Sequence, residues 1–129
     1  MANFDLGGDG REALTRPGLR AFFNIAEAWD LSTLQQMRLL GLRSRSTLCA
    51  WKRGEVRAIS RDALERISYV LGIYKALHIL LPEQAAADAW VKRPNAAPLF
   101  SGRSALERMT AGNVGDLLVI RQFLDAQQR

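Results

Sequence analysis

Apolar side chains recur at intervals of three and four residues along most of the chain, which is the spacing of helices that bury one face. The first run consists of Leu19, Phe22, Phe23, Ala26 and Trp29. Proline is tolerated in the first turn of a helix, because its missing N–H would have no partner there. Thr15-Arg16-Pro17 therefore predicts the start of this helix, and residues 1–15, which show little periodicity, are expected to form a flexible tail.

A second helix is predicted from a capping pattern. Ser32 is followed three residues later by Gln35, so that each side chain can bind the backbone N–H of the other residue. Gly41 is placed to end this helix, because glycine readily adopts the left-handed conformation of a helix C-terminus. The expected apolar side of this helix consists of Leu34, Met37 and Leu40.

Two more helices follow, one short and one long. The short helix is expected to begin near Ser44 and to stop at Gly54, with Leu48 and Trp51 facing inward. Ser60 is the predicted cap of the long helix, and Pro82 ends or kinks it. Its apolar side is expected to contain Leu64, Ile67, Leu71, Tyr74, either Leu77 or His78, and Leu81.

The remaining third of the chain predicts three shorter helices. The first is an alanine-rich segment from Gln84 to Val91, and it is followed by a loop over 93–98 that contains two prolines. Ser104 and Glu107 form a second capping box, with Gly112 as the expected C-cap. Asn113 is the expected N-cap of a last helix that runs to about residue 127.

No segment alternates in the manner of a half-buried strand, so the predicted fold is all-α with about seven helices. We expect a flexible tail over 1–15, a DNA-binding domain over 16–81 and a partner-binding domain over 82–129. The N-terminal half is expected to pack on the C-terminal half.

The distribution of charge gives the first indication of function. The net charge is +5, and residues 38–57 hold six basic residues and one acidic residue, whereas the rest of the chain holds twelve of each. A basic island in an otherwise balanced chain is typical of a surface that binds a polyanion, although a solvated face without a partner has the same composition.

Scarce reactive residues argue against catalysis. The chain has one cysteine, Cys49, and one histidine, His78, so that an intrachain disulfide is impossible and zinc sites or catalytic triads lack members. No phosphate-binding loop is present. We expect neither an enzyme nor a cofactor or metal site. Apolar stretches of only a few residues predict no membrane span, and the absence of a signal peptide predicts a cytoplasmic protein.

The basic island coincides with two short helices joined by a tight turn over 32–54, which is the pattern of a helix-turn-helix. Arginine can bind guanine edges, small residues allow close approach, and flanking cations meet phosphates. The candidate DNA-binding residues are Arg43, Arg45, Ser46, Thr47, Ala50, Lys52, Arg53 and Arg57. The turn is one residue longer than in the commonest spacing, which leaves open which residue begins the recognition helix. A generic helical hairpin with a basic face is the alternative.

The second half of the chain resembles the toxin-binding domain of Xre/MbcA/ParS-type antitoxins. The resemblance rests on the runs Trp90-Val91-Lys92-Arg93-Pro94-Asn95, Leu99-Phe100-Ser101-Gly102, Ala105-Leu106-Glu107-Arg108-Met109 and Val119-Ile120-Arg121-Gln122-Phe123-Leu124-Asp125. Upstream, Leu39-Leu40-Gly41, Trp51-Lys52-Arg53-Gly54, Arg66-Ile67-Ser68 and Leu71-Gly72-Ile73-Tyr74-Lys75-Ala76-Leu77 look like the helix-turn-helix half of the same antitoxins.

This resemblance implies a function and two partners. It implies an antitoxin of a type II toxin-antitoxin system that neutralises a RES-domain toxin, an enzyme that degrades NAD. It also implies that the antitoxin binds operator DNA and represses its own operon. In the family, the C-terminal end approaches the NAD pocket of the toxin.

The resemblance also indicates which residues bind the toxin: Asn95, Leu99, Phe100, Arg121, Asp125 and Arg129. Alternative roles stand beside some of them. Phe100 is better suited to anchor the core and Asn95 to satisfy its own turn, whereas Arg121 is equally suited to pair within the protein. We expect the proline-containing loop to leave its backbone groups free for a partner.

One recognition helix reads only a few base pairs, so we expect a homodimer that binds paired half-sites. The apolar excess over 67–81 is a candidate for part of the subunit contact. The alternative function is a stand-alone transcription regulator whose region after Pro82 forms a small sensor pocket.

Overall fold

A computed structural model describes residues 10–128 of the protein. Within this range the chain forms seven helices, in the order α1 (Arg11–Ala28), α2 (Thr33–Leu40), α3 (Arg45–Lys52), α4 (Arg61–Leu80), α5 (Gln84–Trp90), α6 (Ala105–Met109) and α7 (Val114–Gln127). The β pairing found in these residues is an isolated antiparallel bridge between Pro94 and Ser104. The all-α prediction is confirmed. None of the seven helices combines the length and apolar character that a membrane crossing requires.

Serine caps determine where four of the helices begin. In each case the serine hydroxyl accepts a hydrogen bond from a backbone N–H three residues later, which satisfies a donor that the helix itself leaves unpaired. The four caps are Ser32, Ser44, Ser60 and Ser104. Reciprocal capping boxes are complete at Gln35 and Glu107. The predicted starts of these four helices are therefore confirmed.

The start of α1 was predicted too late. The helix begins at Arg11 and contains Pro17 in its interior, so a flexible tail that reaches residue 15 is wrong for 11–15, and residues 1–9 lie outside the described part. A tertiary contact explains the earlier start. The hydroxyl of buried Thr15 donates to the Arg11 carbonyl at 2.6 Å and accepts the N–H of Ile59 at 3.1 Å.

The buried face of α2 also differs from the prediction. Leu34 is 55% exposed, whereas the buried residues of the helix are Gln36, Leu39 and Leu40. The polar Gln36 is tolerated in the interior because its amide donates to the Leu31 carbonyl at 3.0 Å. Sequence periodicity predicted that Leu34 would face the core. Packing against α4 instead buries the neighbouring side of α2, which carries Gln36 and Leu39.

Helix α4 lies at the centre of the fold and packs against α1, α2, α5 and α7. Its buried residues extend beyond a single stripe, as expected of a helix with neighbours on several sides. They are Ala63, Arg66, Ile67, Val70, Ile73, Ala76 and Leu77. Leu64 and Leu71, which were expected in the core face, are only half-buried.

Three aromatic rings attach the loop after α5 to α7. The Phe100 ring meets Trp90 edge-on at a centroid distance of 5.8 Å, and it meets Phe123 edge-on at 5.3 Å. Edge-to-face pairs add to the stabilisation from burial, because the positive edge of one ring faces the negative face of the next. Phe100 is thus the residue that holds this loop against the C-terminal helix.

A buried arginine connects the two halves of the chain. Arg66 lies on α4 with 8% exposure, and its Nε donates to Asp62 at 2.8 Å. One terminal nitrogen donates to the Arg38 carbonyl at the end of α2 at 3.3 Å, and the other donates to the Gly112 carbonyl at 3.0 Å. Gly112 was predicted to cap α6, but that helix ends at Met109, and Gly112 instead presents its carbonyl to this arginine.

We predict that Arg66→Met lowers the free energy of unfolding by about 3 kcal/mol. The substitution removes the guanidinium donors to the Arg38 and Gly112 carbonyls, of which the Arg38 carbonyl keeps the Gly41 N–H as a donor. Hydrogen bonds to a charged group are stronger than neutral ones. Urea denaturation followed by circular dichroism measures the change. Arg61→Met is the matched control, since Arg61 is exposed on the same helix. Equal unfolding midpoints for the two variants would contradict the role of Arg66.

Candidate functional site

Helices α2 and α3 form the predicted helix-turn-helix. Gly41 adopts φ +73° at the end of α2, residues 41–44 form the turn, and α3 begins at Arg45 behind its cap Ser44. Leu48 is buried, and it is the only residue of α3 that is fully removed from solvent. The long turn left open which residue begins the second helix of the motif, and in the structure that residue is Arg45.

Most of the predicted DNA-binding side chains lie on the exposed side of this motif. The exposed residues are Arg43, Arg45, Ser46, Lys52, Arg53 and Arg57. Thr47 and Ala50 are half-buried, because they lie on the flanks of the helix, between its outer face and Leu48. The residues at the N-terminal end of a recognition helix are the ones that approach base edges, which puts Arg45 and Ser46 in the foremost position.

The cations on this surface are not equally available. Arg53 forms two hydrogen bonds with Glu55, at 2.9 and 3.0 Å, and these bonds lower the pKa of the Glu55 carboxyl. Arg57 lies 3.5 Å from Glu12 of α1. By contrast, Arg43 and Arg45 have no ionic partner among residues 10–128. These two arginines therefore offer uncompensated charge to a polyanion.

A second group of cations on α1 was not singled out from the sequence. Arg16 and Arg20 are exposed one helical turn apart, and they line a groove of about 300 Å³ together with Lys52 at the end of α3 and the following Arg53. Their spacing of four residues on the polar side of α1 was a readable signal. The proximity of that side to α3 was not, because it depends on how the two helices pack.

The loop over 93–103 is more ordered than its prolines suggested. The Asn95 N–H donates to the Arg103 carbonyl at 3.0 Å, and the Gly102 N–H donates to the Asn95 carbonyl at 2.9 Å. Phe100 N–H donates to the Ala97 carbonyl at 2.9 Å. The expectation that this backbone remains free for a partner is therefore wrong, because the loop satisfies itself with turns and a bridge.

The loop residues predicted to bind the toxin have different environments. Phe100 is 3% exposed between two aromatic rings, so its assignment to the binding surface is corrected to a core role. Asn95 is half-buried, and its side-chain oxygen accepts the Ala97 N–H at 2.9 Å. Leu99 is half-buried, and its carbonyl accepts a hydrogen bond from Arg108 at 3.1 Å.

Arg121 and Asp125 lie on a different side of α7 from the loop. A terminal nitrogen of Arg121 donates to the Ser68 carbonyl of α4 at 3.4 Å, and its Nε is 3.7 Å from an Asp125 oxygen. Phe123 is two residues further along, which is about 200° around a helix, and it faces the loop. The structure does not bring Arg121 and Asp125 together with the loop. Arg129 lies outside the described residues.

A groove of about 380 Å³ lies beside the loop at the C-terminal end of α7. Apolar side chains line most of it, and two amides supply its polar side-chain groups. The lining residues are Leu77, Leu80, Leu81, Trp90, Asn95, Phe123, Leu124 and Gln127. Asn95 is the one predicted toxin-binding residue among them. The other lining residues were not identified from the sequence as a binding site, because they come from three separate segments of the chain.

Groups that often carry chemistry are dispersed. No cluster of three potential metal ligands occurs within residues 10–128. His78 pairs with Asp88 at 3.0 Å between α4 and α5, and its ring lies 4.2 Å from that of Tyr74. Cys49 is exposed on α3. The cationic surface around α3 and the groove beside α7 are therefore the candidate functional sites of the described residues.

Residues 11–72 match the model of the antitoxin Xre-like helix-turn-helix domain, and residues 76–129 match that of the antitoxin Xre/MbcA/ParS C-terminal toxin-binding domain. The uncharacterized protein y4oB of Sinorhizobium fredii is 46% identical over 110 residues, which cover 85% of this chain and 83% of that protein. No solved structure shows significant similarity. The chain belongs to the Xre-type antitoxins, with a DNA-binding helix-turn-helix domain followed by a toxin-binding domain.

Proposed function

We propose that this antitoxin neutralises a cytoplasmic RES-domain toxin that degrades NAD, and that it represses its own operon by binding operator DNA. The chain acts as a binding protein and not as an enzyme. The observation that carries the proposal is the presence of two separate surfaces on one core. A cationic surface at α3 fits DNA, and a groove at the end of α7 fits a protein partner.

On the DNA side, Arg45 is the residue best placed to read bases. It begins the recognition helix, it is exposed, and it has no ionic partner in the described part of the chain. Arg43 precedes the helix and is suited to a phosphate. Arg53 has to break its ion pair with Glu55 before it can bind DNA, so its net contribution to DNA affinity is smaller.

We predict that Arg45→Ala weakens binding to the DNA upstream of the antitoxin gene and reduces discrimination against random DNA. A bidentate base contact contributes about 1–3 kcal/mol, which corresponds to roughly a 5- to 150-fold change in affinity. Arg43→Ala is expected to weaken binding to both DNAs equally. Fluorescence anisotropy with labelled duplexes at constant salt measures both effects.

Arg103→Ala is the control for this experiment, since Arg103 is exposed in the loop of the C-terminal half. Unchanged affinity in a folded Arg45→Ala/Arg53→Ala double variant would contradict DNA binding through α3.

On the toxin side, we propose that the groove beside Asn95 and Gln127 receives the toxin. The exposed end of α7 leads from this groove toward the C-terminus, where Arg129 supplies a further cation. An arginine that enters a site made for a dinucleotide occupies part of its volume and thereby competes with the ligand. The proposal for Arg129 rests on the family resemblance.

We predict that deletion of residues 127–129 abolishes neutralisation while leaving the fold intact. The deletion removes Gln127 from the groove rim, whereas the last buried residue of α7 is Leu124. The measurement is cellular NAD after co-expression with the RES-domain protein encoded by the adjacent gene. Gln122→Ala is the control, because Gln122 is exposed on α7 and does not line the groove. Full protection by the truncated protein would place inhibition elsewhere.

We further propose that the antitoxin binds DNA as a homodimer. Residues 67–81, the expected source of the contact, contribute mainly to the internal core. An exposed apolar surface lies instead along α1 and the start of α4, where a groove of about 460 Å³ is lined by Leu14, Leu64 and Leu71 among others. Leu14 is 52% exposed. A second copy that covers this surface would remove these leucines from water.

We predict that Leu14→Glu converts the dimer to a monomer, because a carboxylate would be buried without a partner. Light scattering at micromolar concentration measures the mass. Leu34→Glu is the matched control, since Leu34 is a leucine of similar exposure, 55%, on α2. If the wild-type chain is monomeric under these conditions, or if both variants remain dimeric, the proposed contact is wrong.

A further inference from the structure

The groove between α1 and the end of α3 concentrates positive charge. It holds about 300 Å³, and its lining includes four basic side chains and no acidic one. The basic residues are Arg16, Arg20, Lys52 and Arg53. Asn24 continues the exposed stripe of α1 by another turn. Four like charges around one groove repel each other unless an anion occupies it.

Three of these cations lack an ionic partner within residues 10–128. Arg16 and Arg20 form no hydrogen bond or ion pair through their guanidinium groups. The Lys52 ammonium lies 5.7 Å from the centre of the Phe23 ring, which holds it at the groove without neutralising it. Only Arg53 is compensated, through Glu55. The groove is therefore an uncompensated positive site.

The groove is continuous with α3, since its lining includes Lys52, the last residue of the helix, and its C-cap Arg53. Helix α3 has eight residues, which is about 12 Å at 1.5 Å per residue. The major groove of B-DNA is also about 12 Å wide, and phosphate backbones border it on both sides. When Arg45 contacts the base edges, the C-terminal end of α3 therefore lies at the level of one of the DNA phosphate backbones.

On this basis we infer that the groove is a second DNA-backbone site, in which Arg16 and Arg20 bind phosphates beside the recognition helix. The inference rests on the proposed DNA binding and adds α1 to the interface. The planar guanidinium matches phosphate oxygens with paired donors. Phe23 and Trp51 also line the groove, but both rings are half-buried against the core, and the Lys52 ammonium lies over the Phe23 ring. This favours backbone phosphate over an unstacked nucleotide.

The test is the salt dependence of DNA binding by an Arg16→Gln/Arg20→Gln variant. Each phosphate contact contributes about 0.9 to the slope of log affinity against log salt concentration, so the loss of two contacts lowers the slope by about 1.8. Anisotropy titrations with a random-sequence duplex of about 30 base pairs suffice, because these contacts are independent of sequence.

Two further variants separate a phosphate contact from other effects. Arg93→Gln/Arg103→Gln removes the same charge from the exposed loop of the C-terminal half and is expected to keep the wild-type slope. Arg16→Lys/Arg20→Lys retains the charge and is expected to restore most of the slope. An unchanged slope in the folded Arg16→Gln/Arg20→Gln variant, or an equal loss in the loop variant, would overturn the inference. Absence of duplex binding by the wild-type chain would overturn the proposed function as well.

Discussion

The two halves of this protein depend on the guanidinium of Arg66. Its donors reach the end of α2 at Arg38 and the segment before α7 at Gly112, while Asp62 neutralises it from the preceding turn. The Arg38 carbonyl also accepts the Gly41 N–H at 3.3 Å, and the Gly112 carbonyl lies in the turn before α7. Helix ends and turns leave backbone carbonyls with hydrogen-bonding capacity to spare. A single planar side chain therefore satisfies the helix-turn-helix and the toxin-binding half at once. A Cβ on Gly41 would lie 2.8 Å from Arg66 Nε, so glycine is needed there for space as well as for its positive φ.

Around this connection the structure separates the roles of chemically identical side chains. Arg66 and Arg108 are directed inward, and Arg108 joins α6 to Asp116 at 3.1 Å and to the Leu99 carbonyl. Arg121 lies flat against Gly72 of α4. The arginines around α3 have the opposite character, since they project from short elements into solvent. The first group determines how the helices pack, and the second remains available to DNA.

The same core supports both proposed surfaces, because α4 contacts elements of each family domain. The boundary between the two matched domains falls within this helix, near residue 75. The halves thus match two separate family models but share one set of buried side chains. A partner that binds α7 therefore contacts a helix that packs on α4, and other sides of α4 pack on α1 and α2.

The sequence by itself determined the local features. Serine caps specified the starts of four helices, and the spacing of leucines and aromatic residues specified an all-α chain with a helix-turn-helix, because these signals act within a few residues. Tertiary structure decided the rest. The contact of Thr15 with Ile59 set the start of α1, packing on α4 turned Leu34 outward, and the aromatic cluster placed Phe100 in the core. It also brought Arg16 and Arg20 of α1 beside α3, and it turned Arg121 toward α4. These outcomes depend on residues far apart in the chain, and periodicity within one helix carries no information about which neighbour will cover each face.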